Sequence, residues 1–374
     1  MSKQRILLVG LGSLGSQLLD LLMRIPGQHS LLVGGRNIEY VRQRTNLSLF
    51  SAMQLGYQPD VTCTQVDLWN REQTAEVLYR LHPDVVVCAA TLQRTEAIHD
   101  LPGPIAERLA AAQLGPRLPL HLALIYRLMQ AVQLTGRTIN VINAIYPDVV
   151  GPVLSKVGLA PTTGIGDLAN NVPALRQAIA LNLAKPVASV DIRQIMARYV
   201  SYRLSRAWVG DAPFHFTALL DGEDLTHLLD LKTIFGMLQT TLKRPAGSTG
   251  LLMTAASAVV VIEGMVNNTG VITHAPGPNG LPGGYPVRVS AQGVEVVLPR
   301  GLTLEAAVEI NEAGLPFDGI ERIEHDGSVC FTEKHMAAFK EILGYDCRRM
   351  PLSEVEQQAK ELLAKYKALA GKYG

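Results

Sequence analysis

Short, almost wholly apolar runs alternate with amphipathic stretches through the first part of the chain. "RILLV" (5–9), "HSLLVGG" (29–35), "DVTCTQVDL" (60–68), "PDVVVCAA" (83–90) and "RTINVINA" (137–144) have strand length and β-branched composition. Between them "SQLLDLLMR" (16–24), "NREQTAEVLYRL" (70–81) and "PLHLALIYRLMQAVQLT" (119–135) repeat apolar residues at helical spacing. The run Arg5 to Val9 reads as a buried strand, and "VVVC" is apolar at every position. The alternation of such strands with helices predicts a parallel sheet layered between helices.

The alternation ends at Tyr146-Pro147, which divides the chain into residues 1–147 and 148–374. The second part mixes glycine turns with amphipathic helices and reads as α+β. "ITHAPGPNGLPGGYPVRV", Ile272 to Val289, is rich enough in Gly and Pro to predict an irregular surface connection or binding loop. The apolar run Leu251 to Ile262 is too short to cross a bilayer and predicts a core helix or a dimer face. Near the end, Ser353 and Glu356 have capping-box spacing, and Val355, Ala359, Leu362, Leu363 and Tyr366 trace one helix face.

Chemistry enters at "VGLGSLGS". Gly10, Gly12 and Gly15 form G-x-G-x-x-G after a strand and before a helix, inside a strand–helix–strand unit. That context predicts a dinucleotide turn: a sharp bend at Gly10, close pyrophosphate approach at Gly12, helix-on-strand packing at Gly15, and free N–H groups at Ser13 and Leu14. The fold class that follows is α/β: an N-terminal Rossmann doubly wound parallel sheet with a second α+β substrate and dimerisation domain. The second strand ends in Gly34, Gly35, Arg36 and Asn37 with no acid to repel a 2′-phosphate, and Arg36 can pair with one, so NADP is expected over NAD. Asp67 at the third strand end, and Ala89, Ala90 and Thr91 after the fourth, are expected along the cofactor.

The order of parts from Ile6 to about Leu183 resembles the lactate/malate dehydrogenase fold, through "LLVGLGSLGS", "NLSLFSAMQLG", "DVVVCAA", "INVINAIYPDVV" and "GLAPTTGIGDLANNVPALRQAIA". The resemblance implies that architecture and hydride transfer. It does not extend to the family's catalytic residues. Asn170 stands three places after Asp167 where the family has arginine, and "IRQIMARYVSYRLSR" holds no histidine. The first 100 or so residues are also similar to saccharopine-dehydrogenase-like reductases, through the glycine turn and "GGRN". "DLWNREQTAEVLYRLHPDVVVCAA" looks like the extended short-chain dehydrogenases, yet no Tyr here has Lys four residues later.

Site candidates therefore come from position. Asn143 and Tyr146 follow the fifth strand, at the sheet end where ligands of open α/β folds sit, and Tyr146 is a candidate proton donor. His274 and Tyr285 fall in the Gly/Pro segment, His274 as a candidate acid and Tyr285 as a substrate contact. Arg94 follows the fourth strand and can clamp a carboxylate. His121, within an apolar helix, reads as a core histidine.

Composition narrows the classes. Lys and Arg total 34 against 33 for Asp and Glu, and aromatics make up 5%, which argues against nucleic acid as a partner. Cys63, Cys88, Cys330 and Cys347 form no C-x-x-C pair, no metal motif occurs, and the N-terminus lacks a signal-peptide pattern. These features predict a cytoplasmic protein with no membrane span. The expected function is an NADP-dependent oxidoreductase acting on a small substrate, as a homodimer. A non-catalytic NAD(P)-sensing regulator is the alternative.

Overall fold

The computed structural model describes residues 3–25, 29–245 and 247–373, apart from the Glu96 side chain. Six strands, β1 (Gln4–Val9), β2 (His29–Gly35), β3 (Asp60–Gln65), β4 (Val85–Cys88), β5 (Asn140–Asn143) and β6 (Thr163–Gly164), form one parallel sheet in the order β3-β2-β1-β4-β5-β6. The connecting helices are α1 (Ser13–Leu22), α2 (Ile38–Gln54), α3 (Arg71–Leu81), α4 (Gly103–Ala111), α5 (Leu118–Leu134) and α6 (Pro147–Ser155).

The central strands β1 and β4 carry runs apolar at every position, "ILLV" and "VVVC", because each face feeds a different core. Leu7 and Val9 of β1 with Val86 and Cys88 of β4 enter one core, while Ile6, Leu8, Val85 and Val87 enter the other. Strand order reverses between β1 and β4, whose last residues, Val9 and Cys88, are paired. That switch point opens a crevice at the carboxyl ends of the strands.

The remaining chain builds α7 (Val172–Leu183), β7 (Val190–Met196), α8 (Arg198–Leu204), β8 (Phe214–Leu220), β9 (Glu223–Asp224), α9 (Leu231–Met237), α10 (Leu251–Val266), β10 (Val271–Pro276), β11 (Gly284–Ser290), β12 (Gly293–Val296) and α11 (Leu304–Gly314). Its strands form an antiparallel sheet, β10-β11-β7-β8-β9, with β12 on β11. A last layer comprises β13 (Ile320–Ile323), β14 (Val329–Phe331), α12 (Glu333–Leu343), β15 (Arg349–Met350) and α13 (Val355–Ala370). Phe331, Phe339, Leu362 and Tyr366 of this layer share a core with α5 of the first half.

Several expectations need correction. A boundary at 147/148 cuts through the parallel sheet, since β6 pairs with β5 at Ile142–Thr163 and Asn143–Gly164. The segment Ile272 to Val289 is a hairpin, not a loop. β10 and β11 pair from Val271–Val289 to Pro276–Gly284, and Gly and Pro are concentrated in the connection and at its flanks. The capping box does not form, because a short 3-10 turn at Leu352–Glu354 precedes α13 and Glu356 pairs with Arg127 at 2.5 Å. The apolar helix is longer than its most apolar run. With the preceding turn it spans Gly247–Val266, long and apolar enough to cross a membrane, yet it lies along α1 with Ala255, Ala258, Val261, Ile262 and Met265 buried.

Candidate functional site

The glycine turn sits at the switch point. Gly10 has φ +97°, and a Cβ there would lie 2.7 Å from Ala90 N; a Cβ on Gly15 would lie 1.9 Å from Gly10 O. Both positions are therefore closed to side chains by the protein's own backbone. Gly12 differs: a Cβ there meets nothing within 4 Å. It caps α1 without a side-chain hydrogen bond, so the first-turn N–H groups have no intrahelical acceptor. Tyr40 Oη donates to Leu11 O at 3.1 Å and pins the turn from α2.

From this turn a cleft of about 590 Å³ runs past Ala89, Thr91 and Ala144 to Tyr146, Asp167 and Arg198, a volume ordinary for small-molecule sites. Tyr146 and Asp167 both hold left-handed backbone, φ 47° and 48°, uncommon for residues with side chains and characteristic of sites where the surrounding fold fixes a side chain. Asn143 explains the first. Its Nδ2 donates to Ile145 O at 2.9 Å and Ile145 N donates to its Oδ1 at 3.1 Å, which shapes the turn that presents Tyr146.

Around Tyr146 the polar groups are buried. The Arg198 guanidinium lies 5.7 Å from its ring centroid, and Arg198 Nη1 donates to Asp318 Oδ1 at 2.6 Å. Burial, then the Asp318 charge, pushes the Tyr146 phenol well above its ordinary value, against the opposing pull of Arg198. It holds its proton. His121 meets the ring edge-on at 6.5 Å and contacts Thr91 Oγ1 through Nδ1 at 2.9 Å; burial, then Arg117 and Arg198, drives its pKa well down, so it is neutral. Asp148 is wholly buried, and among the described residues no donor reaches its oxygens; its carboxyl faces that of Asp167. Burial and the neighbouring Asp167 carboxylate raise it well above the carboxylate range, and it carries a proton.

Of the residues singled out in the sequence, Gly12, Ser13, Leu14, Ala89, Thr91, Arg94 and Tyr146 line this cleft. Gly35, Arg36 and Asn37 lie at the end of β2, where Asn37 caps α2 by accepting from Tyr40 N at 3.1 Å and the Arg36 side chain has no carboxylate partner among the described residues. Asp67, partly buried, accepts from Trp69 N at 3.1 Å on the way into α3. His274 and Tyr285 do not reach the cleft. His274 is 3% exposed in β10, accepts from Gln194 N at 3.2 Å, and is held neutral by burial, with its pKa lowered to about 3. Tyr285 is fully buried in β11. Both are core residues of the hairpin. Asn143 likewise has its amide engaged by the backbone and acts by positioning. Arg198, Asp318, Asp148 and His121 are the members of the cluster that the sequence did not point to.

No model of a known sequence family matches the chain, and no curated protein matches it significantly in sequence. Solved structures do match. A malate dehydrogenase from Aeropyrum pernix aligns over 84% of this chain and 97% of its own at TM-score 0.57 and 18% identity. The fold is that of the lactate and malate dehydrogenases. A malate dehydrogenase from Plasmodium falciparum covers 96% of this chain and 99% of its own at TM-score 0.55 and 13% identity. A lactate dehydrogenase from Eimeria maxima, solved with NADH and oxamate, covers 84% and 92% at 0.55 and 12%.

Proposed function

We propose that the protein is an NAD(P)-dependent oxidoreductase, with NADP preferred over NAD, that moves a hydride to or from a carbonyl or alcohol carbon of a small organic substrate; an imine or amine carbon is the less favoured variant. The observation that carries this reading is one continuous cleft joining the open α1 N-terminus at Gly12 to the buried phenol of Tyr146. The space above Gly12 and the unpartnered first-turn N–H groups fit a pyrophosphate; Ala89, Ala90 and Thr91 would flank the dinucleotide, and Arg36 and Asn37 would meet the 2′-phosphate. When bound, the dinucleotide supplies the hydride.

The protein's own contribution is a dry, proton-holding wall. Tyr146 keeps its proton until an oxygen beside it gains electron density, then donates it as the carbonyl becomes an alcohol, and accepts one in reverse. Arg198, fixed by Asp318, stabilises the negative charge that develops there. His121 and Thr91 back the ring, and Arg94, held by Asp100, stands at the cleft wall as a carboxylate contact. Four free thiols support a reducing, cytoplasmic setting. Exposed Leu47 and Phe50 on α2 and Leu252 and Val260 on α10 support a homodimer.

The reading is tested with NADPH and a panel of ketones, aldehydes and keto acids, following nicotinamide absorbance. Wild-type protein oxidises NADPH with at least one class, and Tyr146→Phe lowers kcat by about 10²–10⁴-fold with NADPH affinity unchanged. Tight NADPH binding without turnover across the panel overturns the enzyme in favour of the sensing alternative.

A further inference from the structure

The cleft is electrostatically lopsided. Arg94, Arg117, Arg198, Arg206, Lys243 and Arg244 line it, and Asp167 is the one carboxylate among its described lining residues. Arg198 is paired with Asp318 and Arg94 with Asp100. Among the described residues Arg206 and Arg244 meet no carboxylate, yet neither is a loose surface chain. Arg244 Nη2 donates to Asn171 Oδ1 at 2.7 Å and Nη1 donates to Asn170 O. Arg206 Nη1 donates to Tyr202 O at 2.7 Å and to Ser205 Oγ at 3.2 Å, and its guanidinium stacks 3.8 Å from the Tyr202 ring centroid. Arg244 is half-buried, and its pKa is lowered first by burial and then by the charge of Arg206. Two hydrogen-bonded guanidiniums that line one cleft and repel each other, with Lys243 next in the chain, make a positive field that an anion would relieve.

We propose that Arg206, Lys243 and Arg244 form a phosphoryl-binding subsite, and that the substrate of this cleft is a small phosphate monoester whose phosphate group sits between the two guanidiniums. The placement of its reacting carbon toward Tyr146 rests on the oxidoreductase reading; the anion site does not. Guanidinium forks reaching in from two separate segments, the turn after α8 and the segment ahead of α10, suit a tetrahedral oxyanion approached from two sides. The charge also fits, since three cations with no carboxylate partner among the described residues match a dianion better than a single carboxylate. These residues lie outside α1 and the end of β2, the segments expected to hold the dinucleotide's phosphates, although the same cleft reaches the Gly12 turn.

The test uses the full chain and inorganic phosphate, with malonate and chloride at matched ionic strength, read by the shift in thermal midpoint and by calorimetric titration. Phosphate should stabilise wild type more than either comparison anion. Arg206→Gln, at an exposed position, should weaken phosphate binding by about tenfold, and Arg206→Gln with Arg244→Gln should abolish the shift, while Arg36→Gln retains it. A phosphate shift no larger than that of chloride, a larger shift with malonate, or a shift that survives in the double variant overturns the proposal. An arginine-dependent phosphate shift in a protein that binds no NADPH would sink the oxidoreductase reading and leave this subsite standing.

Discussion

Arg198 Nη1 donates to Asp318 Oδ1 at 2.6 Å across 120 residues of sequence, and both side chains are almost wholly withdrawn from water. Breaking such a pair from one side strands a buried charge. Arg198→Ala should lower unfolding stability by about 3–5 kcal/mol, whereas Arg198→Met with Asp318→Leu should recover most of that loss. Urea unfolding of the three proteins checks this; a double variant as unstable as the single one would contradict it.

Gly12 and Gly15 should respond oppositely to alanine. At Gly15 the new methyl collides with Gly10 O, so Gly15→Ala should destabilise the fold by about 1–3 kcal/mol. At Gly12 it projects into open space, so Gly12→Ala should unfold like wild type while NADPH affinity falls by about tenfold or more. Denaturant midpoints and NADPH fluorescence titration separate the two effects.

Arg36 carries the NADP preference in the proposed reading. Arg36→Ala should lose about tenfold or more in NADPH affinity and leave NADH affinity within about twofold. Parallel titrations decide it, and equal NADPH affinity in both proteins would remove the assignment.

Two buried groups set opposite pH dependences. The Asp148 carboxyl is raised in the folded protein, so its stabilising contribution is complete below the ordinary carboxylate value near 3.8 and fades as pH rises toward the folded value. Asp148→Asn, neutral throughout, should therefore gain stability relative to wild type as pH rises from acid to neutral. His274 is lowered from 6.5 to about 3, so its contribution is complete above 6.5 and fades as pH falls toward 3. His274→Gln should flatten that acid limb. Thermal midpoints across the range test both slopes.

The parallel sheet was legible because strands buried on both faces are apolar at every position, as "ILLV" and "VVVC" are, and the glycine turn because its spacing is local. That Tyr146 lines the cleft was legible because it stands three residues after the end of β5. The rest of the cluster was not. Asp148, Arg198 and Asp318 lie in "YPDVV", "MARYVSYR" and "LPFDGIE", three segments joined only by tertiary packing. His274 and Tyr285 look loop-borne because Gly and Pro crowd "HAPGPNGLPGGYP", although the flanks pair as strands and turn both rings into the core.

The C-terminal layer has a temporal consequence. A ribosome delivers the Gly12 turn, Tyr146 and Arg198 well before it delivers Asp318, and α13, which packs on α5, comes later still. Until the late segment docks, the guanidinium of Arg198 lacks its counter-ion and the α5 surface lacks its cover. The cluster around Tyr146 is therefore complete only once the last segments of the chain have been made and have docked.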